Sequence, residues 1–126
     1  MNLFIKKNDK IEVEVFVYEK DGQIESTTEK TEIPSEITTA QSLKFIFRKP
    51  TYADSKSIIS LSSKGNSILE IDPLLLQNNV LRTLLAEWDL QEDGKPIECN
   101  IKNLDRLSPS IALAAASGIL QKIKIS

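Results

Sequence analysis

The chain has 126 residues, 40% of them hydrophobic and 27% charged, which suits one folded domain with a modest core and disfavours a disordered chain. Its 16 basic and 18 acidic residues give a net charge of -2, so no global positive field favours a nucleic-acid partner. A single cysteine excludes an internal disulfide. From the pattern before the first predicted strand we expect no cationic leader, and we expect no membrane anchor because the longest apolar run, residues 111–120, has about half the length of a membrane span.

The first 49 residues are predicted to form a small antiparallel sheet of about three strands with one buried face. Apolar and charged residues alternate over residues 11–19 and again over 42–49, as in strands with one solvated face. Asp21 and Gly22 tolerate the positive φ angles of a tight hairpin turn. A threonine-rich return strand at the sheet edge is therefore predicted over about residues 24–33.

Two helices are predicted between Pro50 and Asp89. Thr51 and Asp54 match a capping box, and the Gly-Asn pair at 65–66 is a typical stop signal. Asp72, followed by a proline, is a second helix start. The central core helix is predicted to follow an apolar stripe at three- and four-residue spacing: Leu76, Val80, Leu81, Leu84, Leu85 and Trp88.

Two more helices are predicted after a polar loop over residues 89–98. Asn100 is expected to cap a short helix, because its side chain can accept from an unpaired amide of the first turn. Ser108 and Pro109 repeat the cap-and-proline pattern and start a final helix that runs to about Lys122.

The predicted fold class is α+β, in a single domain over residues 1–126. A β-rich part covers residues 1–49, and a C-terminal bundle of about four helices covers residues 50–126. No internal repeat, low-complexity tract or linker divides the chain.

No residue set with recognisable chemistry is present, so the chain is predicted not to be an enzyme and to have no catalytic, cofactor-binding or metal-binding residue. It lacks histidine, the usual general base and the commonest metal ligand. Cys99 alone cannot build a thiolate metal site. The basic residues at positions 6, 7 and 10 are interrupted by Asp9 and followed by Glu12 and Glu14, which favours a solvated strand end over a nucleic-acid-binding patch.

A small enzyme that uses carboxylates or a serine without histidine is the lowest-ranked alternative. A deep pocket that gathers Asp89, Asp93 and Lys95 would be its structural sign. The acidic residues around Gly94 do not follow the alternating spacing of a calcium loop, so a solvated acidic loop is favoured.

The final helix is apolar around much of its circumference. Alanines at positions 112 and 114–116 accompany larger residues such as Ile111, Leu113 and Leu120. Such a helix is either enclosed by its own domain or covered by a partner. Complete enclosure of a terminal helix is difficult in a domain this small, so a partner-facing surface is favoured over a closed core.

The chain resembles the tail assembly chaperones of tailed bacteriophages and the related baseplate assembly proteins of contractile-tailed phages. The resemblance covers roughly residues 43–123. It rests first on FIFRKPTYAD, a strand that leads through Arg48, Pro50 and Thr51 into a helix. It rests also on a later run that contains Trp88, Gly94, Lys95, Pro96, Asn103, Leu104, Leu107, Pro109 and Ile111.

This resemblance implies a non-enzymatic protein of the infected bacterial cytoplasm that holds apolar helical segments of the tape measure protein or of baseplate hub components during assembly. No cofactor, nucleic acid or membrane is expected, whereas association of the chain with itself is an open possibility. The alternative is a permanent structural component of the baseplate or tail, and hence of the virion. The predicted partner-binding residues are Leu104, Leu107, Leu113, Ala116 and Leu120.

Overall fold

The structure, a computed structural model, describes residues 3–64 and 67–123. Within them it contains a four-stranded antiparallel sheet, two small ladders and four α-helices, which confirms the α+β class. The predicted sheet of three strands followed by a helical bundle is only partly right, because helices and strands are interspersed. The elements are β1 (Lys10–Lys20), β2 (Gln23–Thr27), a 3-10 turn (Lys30–Glu32), β3 (Gln41–Arg48), α1 (Tyr52–Ser62), β4 (Ser63–Lys64), β5 (Ser67–Ile71), α2 (Pro73–Leu84), β6 (Leu85–Trp88), β7 (Gln91–Glu92), β8 (Lys95–Pro96), α3 (Ile101–Asp105) and α4 (Pro109–Lys122).

The first hairpin forms as predicted, but its return strand is shorter. Asp21 and Gly22 have φ angles of 53° and 77° at the turn, and β1 then pairs with β2. The strand ends at Thr27. The Thr27 hydroxyl accepts a hydrogen bond from the Glu29 amide (3.0 Å) and donates one to the Glu32 carboxylate (3.0 Å). These local hydrogen bonds favour the 3-10 turn at Lys30–Glu32, where the sequence predicted that the strand would continue.

The predicted helix starts are confirmed at three positions. Thr51 and Asp54 form the complete capping box of α1. The Asp72 carboxylate accepts hydrogen bonds from the Leu74 and Leu75 amides at the start of α2. The Asn100 side chain accepts one from the Asn103 amide of α3 (2.8 Å). α4 starts after Ser108 as predicted, although that side chain makes no capping bond. The predicted stop signal at 65–66 lies outside the described residues.

The central helix ends earlier than the sequence predicted. α2 stops at Leu84, and the next four residues become β6. β6 pairs antiparallel with β3, with Phe45 opposite Trp88, so the order of the sheet is β2-β1-β3-β6. Trp88 is therefore a sheet residue, because strand pairing with β3 outweighs the helical spacing of the leucines.

The helices pack on one face of the sheet, and the core lies between these two layers. α4 contacts β1, β2 and α2, while α1 packs against α2. The sheet contributes alternate apolar residues from β1 and β3, as expected for a sheet with one buried face. The buried hydrophobic residues are Val13, Val15, Leu43, Phe45, Phe47, Ile58, Val80, Leu81, Leu84, Leu104, Ile111, Ala115, Ala116 and Ile119.

The predicted polar loop at residues 89–98 contains a second small hairpin. β7 and β8 pair across Asp93 and Gly94, whose φ angles are 52° and 76°. The Asp-Gly pair repeats the turn chemistry of the first hairpin. In the part of the chain that the structure describes, no helix has both the length and the apolar character needed to cross a membrane.

Candidate protein-binding surface

The structure separates the five predicted partner-binding residues into core and surface. Leu104 is 8% exposed and Ala116 is fully buried, so neither offers contact area to another protein in this conformation. Leu107 and Leu120 are half-buried, and Leu113 is 44% exposed. The alanine side of α4 is thus covered by the protein's own sheet and α2. Of the five predicted residues, the three leucines at 107, 113 and 120 leave apolar surface in reach of a partner.

Trp88 and Leu107 meet in a cleft of about 120 Å³ beside α3. Trp88 is fixed from two sides: its indole N–H donates to the Ile97 carbonyl (2.7 Å), and its ring meets Phe45 edge-on at a centroid distance of 6.2 Å. Leu90 and Ile97 complete the apolar wall of this Trp88 cleft. A cleft lined by a fixed aromatic ring and aliphatic side chains suits an apolar side chain from another protein.

The rim of the Trp88 cleft is polar and internally paired. Arg106 contacts the Glu92 carboxylate at 3.2 Å, which joins α3 to the β7–β8 hairpin. The amide of the Asn103 side chain donates to the Glu98 carbonyl (2.8 Å). Because these groups already have partners, the rim can surround a bound apolar side chain without leaving a charge unpaired.

A second, smaller cleft lies along another set of α3 residues. Leu81, Leu85 and Leu104 line it, its volume is about 70 Å³, and the lining residue Ile101 is 52% exposed. Cys99 also lines it, and burial raises the pKa of that thiol to about 11, with a smaller contribution from the charge of Glu87. The thiol is therefore protonated at neutral pH and contributes to the cleft as a small apolar group.

We call α3 and its two clefts, together with the exposed Leu113 of the following helix α4, the α3 surface. Its groups are apolar walls and paired polar side chains. The carboxylate of Asp89 accepts the Lys44 amide (2.8 Å) and so supports the sheet, while Asp93 occupies a turn. Among residues 3–64 and 67–123, no cluster of metal-binding side chains is present.

The sequence marked Leu104, Leu107 and Trp88 separately and did not place the tryptophan opposite Leu107. Their proximity depends on β6 pairing with β3, which the helical spacing concealed, and on the β7–β8 hairpin, which lies in the segment predicted to be a polar loop. The Asp-Gly pair before Lys95 was the available signal for the hairpin. Comparisons of the chain with protein-family models, with curated proteins and with solved structures found no match.

Proposed function

We propose that this protein is a non-enzymatic assembly factor of a phage tail or baseplate, and that it binds an apolar helical segment of a tape measure or hub protein at the α3 surface. The supporting observation is that Trp88 lines the same cleft as Asn103 and Leu107, although the β7–β8 hairpin separates it from them in the chain. All three belong to the run that carries the sequence resemblance, and their place in one cleft favours a binding role for that run.

The dimensions of the α3 surface favour a partner that presents single apolar side chains. The clefts have volumes of about 120 Å³ and 70 Å³, well below the roughly 300 Å³ at which small-molecule pockets begin. An amphipathic helix presents apolar side chains at three- and four-residue spacing and inserts them one by one into such depressions. Leu113, with 44% of its surface exposed, adds apolar contact area outside the clefts.

The FIFRKPTYAD segment supports the resemblance through the fold. Arg48 donates to both carboxylate oxygens of Asp54 (2.9 and 3.1 Å) and to the Thr83 carbonyl (2.9 Å). This ties the end of β3 to the start of α1 and the end of α2. The FIFRKPTYAD segment therefore holds β3, α1 and α2 together. In this proposal the later run of the chain makes the contacts with the partner.

The proposal is tested by capture of a tail protein from infected bacteria on immobilised protein. The test variant is L107A/L113E, which removes apolar contact area and adds a charge at the α3 surface. The control is L74E, which places the same charge on an α2 leucine that is 69% exposed. We expect the wild type and L74E to retain the tape measure or a hub protein, and L107A/L113E to lose it.

Capture of neither protein by the wild type, or equal capture by both variants, would contradict the proposed site. The far-UV circular dichroism of each variant must match the wild type before capture is compared. Purified phage particles decide the remaining alternative. A chaperone should be absent from them, whereas a permanent tail or baseplate component should be present in stoichiometric amount.

A further inference from the structure

Two basic segments that are distant in sequence meet at one cavity. It has a volume of about 270 Å³ and is lined by Ile5, Lys6, Lys7, Arg48, Lys49 and Thr51. The β1–β3 ladder joins the segments: Lys10 pairs with Arg48, and the Lys49 amide donates to the Asp9 carbonyl (3.0 Å). Four of the six lining residues are cationic and none is acidic.

Most of this positive charge has no acidic partner among the described residues. Arg48 is paired with Asp54 at 2.9 Å, so its charge is compensated. Among the described residues, no carboxylate lies within 4.0 Å of the ammonium groups of Lys6, Lys7 or Lys49. The nearby Asp9 carboxylate accepts the Lys6 backbone amide (2.9 Å). Three exposed lysines thus bring positive charge to one cavity, and this charge would attract an anion.

Thr51 adds a neutral donor to the same cavity. Its hydroxyl oxygen accepts the Asp54 amide of the capping box (3.2 Å), while its own proton has no acceptor among the described residues. A hydroxyl can accept and donate at once, so that proton is available to an anion. In the same capping box the Thr51 amide donates to the Asp54 carboxylate (3.0 Å). Tyr52 and Ala53, the first residues of α1, do not line the cavity, so the lysine side chains and this hydroxyl supply its free donors.

We propose that this cavity binds a phosphate group. Lysine ammonium groups bind phosphate as compact point charges, and Arg48 is already occupied by Asp54. A phosphate monoester carries a charge of about -1.5 to -2 at pH 7, which matches several uncompensated lysines. The volume suits a free phosphate or a small phosphorylated molecule. A nucleic-acid strand would instead meet the acidic residues Glu12 and Glu14, which follow on β1.

The test is a titration of the intact protein followed by the NMR shifts of the amides of residues 5–7, Lys49 and Thr51. Inorganic phosphate and glycerol 3-phosphate are the probes, and sodium acetate and sodium chloride at matched ionic strength are the comparisons. We expect saturable shifts at these amides with at least one phosphate probe, and no saturation with acetate or chloride. The probe that binds more tightly identifies whether free phosphate or a phosphate ester is the better ligand.

A matched pair of triple variants separates this site from general charge effects. K6Q/K7Q/K49Q removes the three lysines of the cavity, and K20Q/K30Q/K95Q makes the same change in net charge at three other exposed lysines. We expect the first variant to bind the phosphate probe about tenfold more weakly or worse, and the second to bind as the wild type does. Equal weakening in both, or the same shifts with chloride, would overturn the proposal. The result does not depend on the proposed assembly function, since no phage protein takes part.

Discussion

Gly118 of α4 lies directly against Val13 of β1. A Cβ placed on Gly118 would stand 2.5 Å from Cγ1 of Val13 and 3.1 Å from Cγ2 of Thr28. The absence of a side chain therefore sets how closely α4 approaches the sheet. Since the same helix buries Ala115 and Ile119 against this layer, the contact holds the C-terminal helix as an integral part of the core.

Gly118→Ala should destabilise the protein by about 1–3 kcal/mol, because overpacking in the core outweighs the gain in helix propensity of up to about 1 kcal/mol. Chemical denaturation measures the change in the free energy of unfolding. Ser117→Ala is the matched control, since it also raises helix propensity but adds no atom. An unchanged or higher stability of Gly118→Ala would show that α4 moves away from Val13 without cost.

Ala116→Glu should unfold the protein or cost more than about 3 kcal/mol, because Ala116 is fully buried and the glutamate would place an uncompensated charge in the core. Leu113→Glu, three residues earlier on the same helix, should cost less than about 1 kcal/mol, since Leu113 is 44% exposed. Thermal unfolding followed by circular dichroism compares the two. A fully stable Ala116→Glu variant would mean that α4 is more accessible than its packing indicates.

The sequence predicted what is encoded locally. The caps at Thr51, Asp72 and Asn100 were found because each depends on residues within three positions. β1 and β3 were found because an alternating pattern identifies a strand with one buried face. These features required no knowledge of the distant chain.

What the sequence missed depends on distant pairing. The spacing of Leu84, Leu85 and Trp88 fits a helical stripe, and no glycine or proline is present to end the helix. Residues 85–88 nevertheless form β6, which pairs with β3. The Trp88 cleft could not be predicted for the same reason, because it depends on the pairing of β6 with β3. Likewise, Lys6 and Lys7 suggested only a solvated strand end, because their proximity to Lys49 arises from the β1–β3 ladder. Leu104 and Ala116 were placed on the surface because periodicity does not say which side of an apolar helix is covered.

Asp54→Asn should destabilise the protein by about 1–2 kcal/mol near neutral pH, since it weakens both the cap of α1 and the charged bonds from Arg48. Those bonds hold the pKa of the Asp54 carboxyl below its ordinary value of 3.8, against the opposing effect of burial. A lowered folded-state pKa gives stability that is fully present above pH 3.8 and is lost as the pH falls through the folded value.

Urea denaturation of wild type and Asp54→Asn from pH 7 to pH 2 tests this linkage. The difference between the two proteins should be constant above about pH 5 and should shrink toward the acid end. Glu36→Gln is the control, because Glu36 is exposed and lacks a salt bridge among the described residues. A difference that stays constant down to pH 2 would mean that Asp54 gains nothing from its charge.

Trp88→Phe should loosen the β7–β8 hairpin while it leaves the main sheet in place. The substitution keeps an aromatic ring against Phe45 but removes the donor to the Ile97 carbonyl, a loss of about 1 kcal/mol. Hydrogen exchange at the Ile97 amide, which donates to the Leu90 carbonyl, should become faster. Exchange at the β1–β3 ladder should stay as in the wild type, and an unchanged Ile97 rate would show that the hairpin is held without the indole.

Cys99 should react slowly with thiol reagents in the folded protein. Burial raises its pKa from 9.0 to about 11, so at pH 8 the thiolate fraction falls roughly a hundredfold relative to an unperturbed thiol. Alkylation by iodoacetamide, followed by mass spectrometry, should be correspondingly slower in the native protein than in urea, and it should accelerate as the pH rises toward 10. Glu87→Gln should raise the native rate, because the charge of Glu87 disfavours the thiolate. Equal rates in the native and the unfolded protein would mean that the second cleft beside α3 is open to solvent, and Ile101 and Leu104 would then not form a dry wall for a partner.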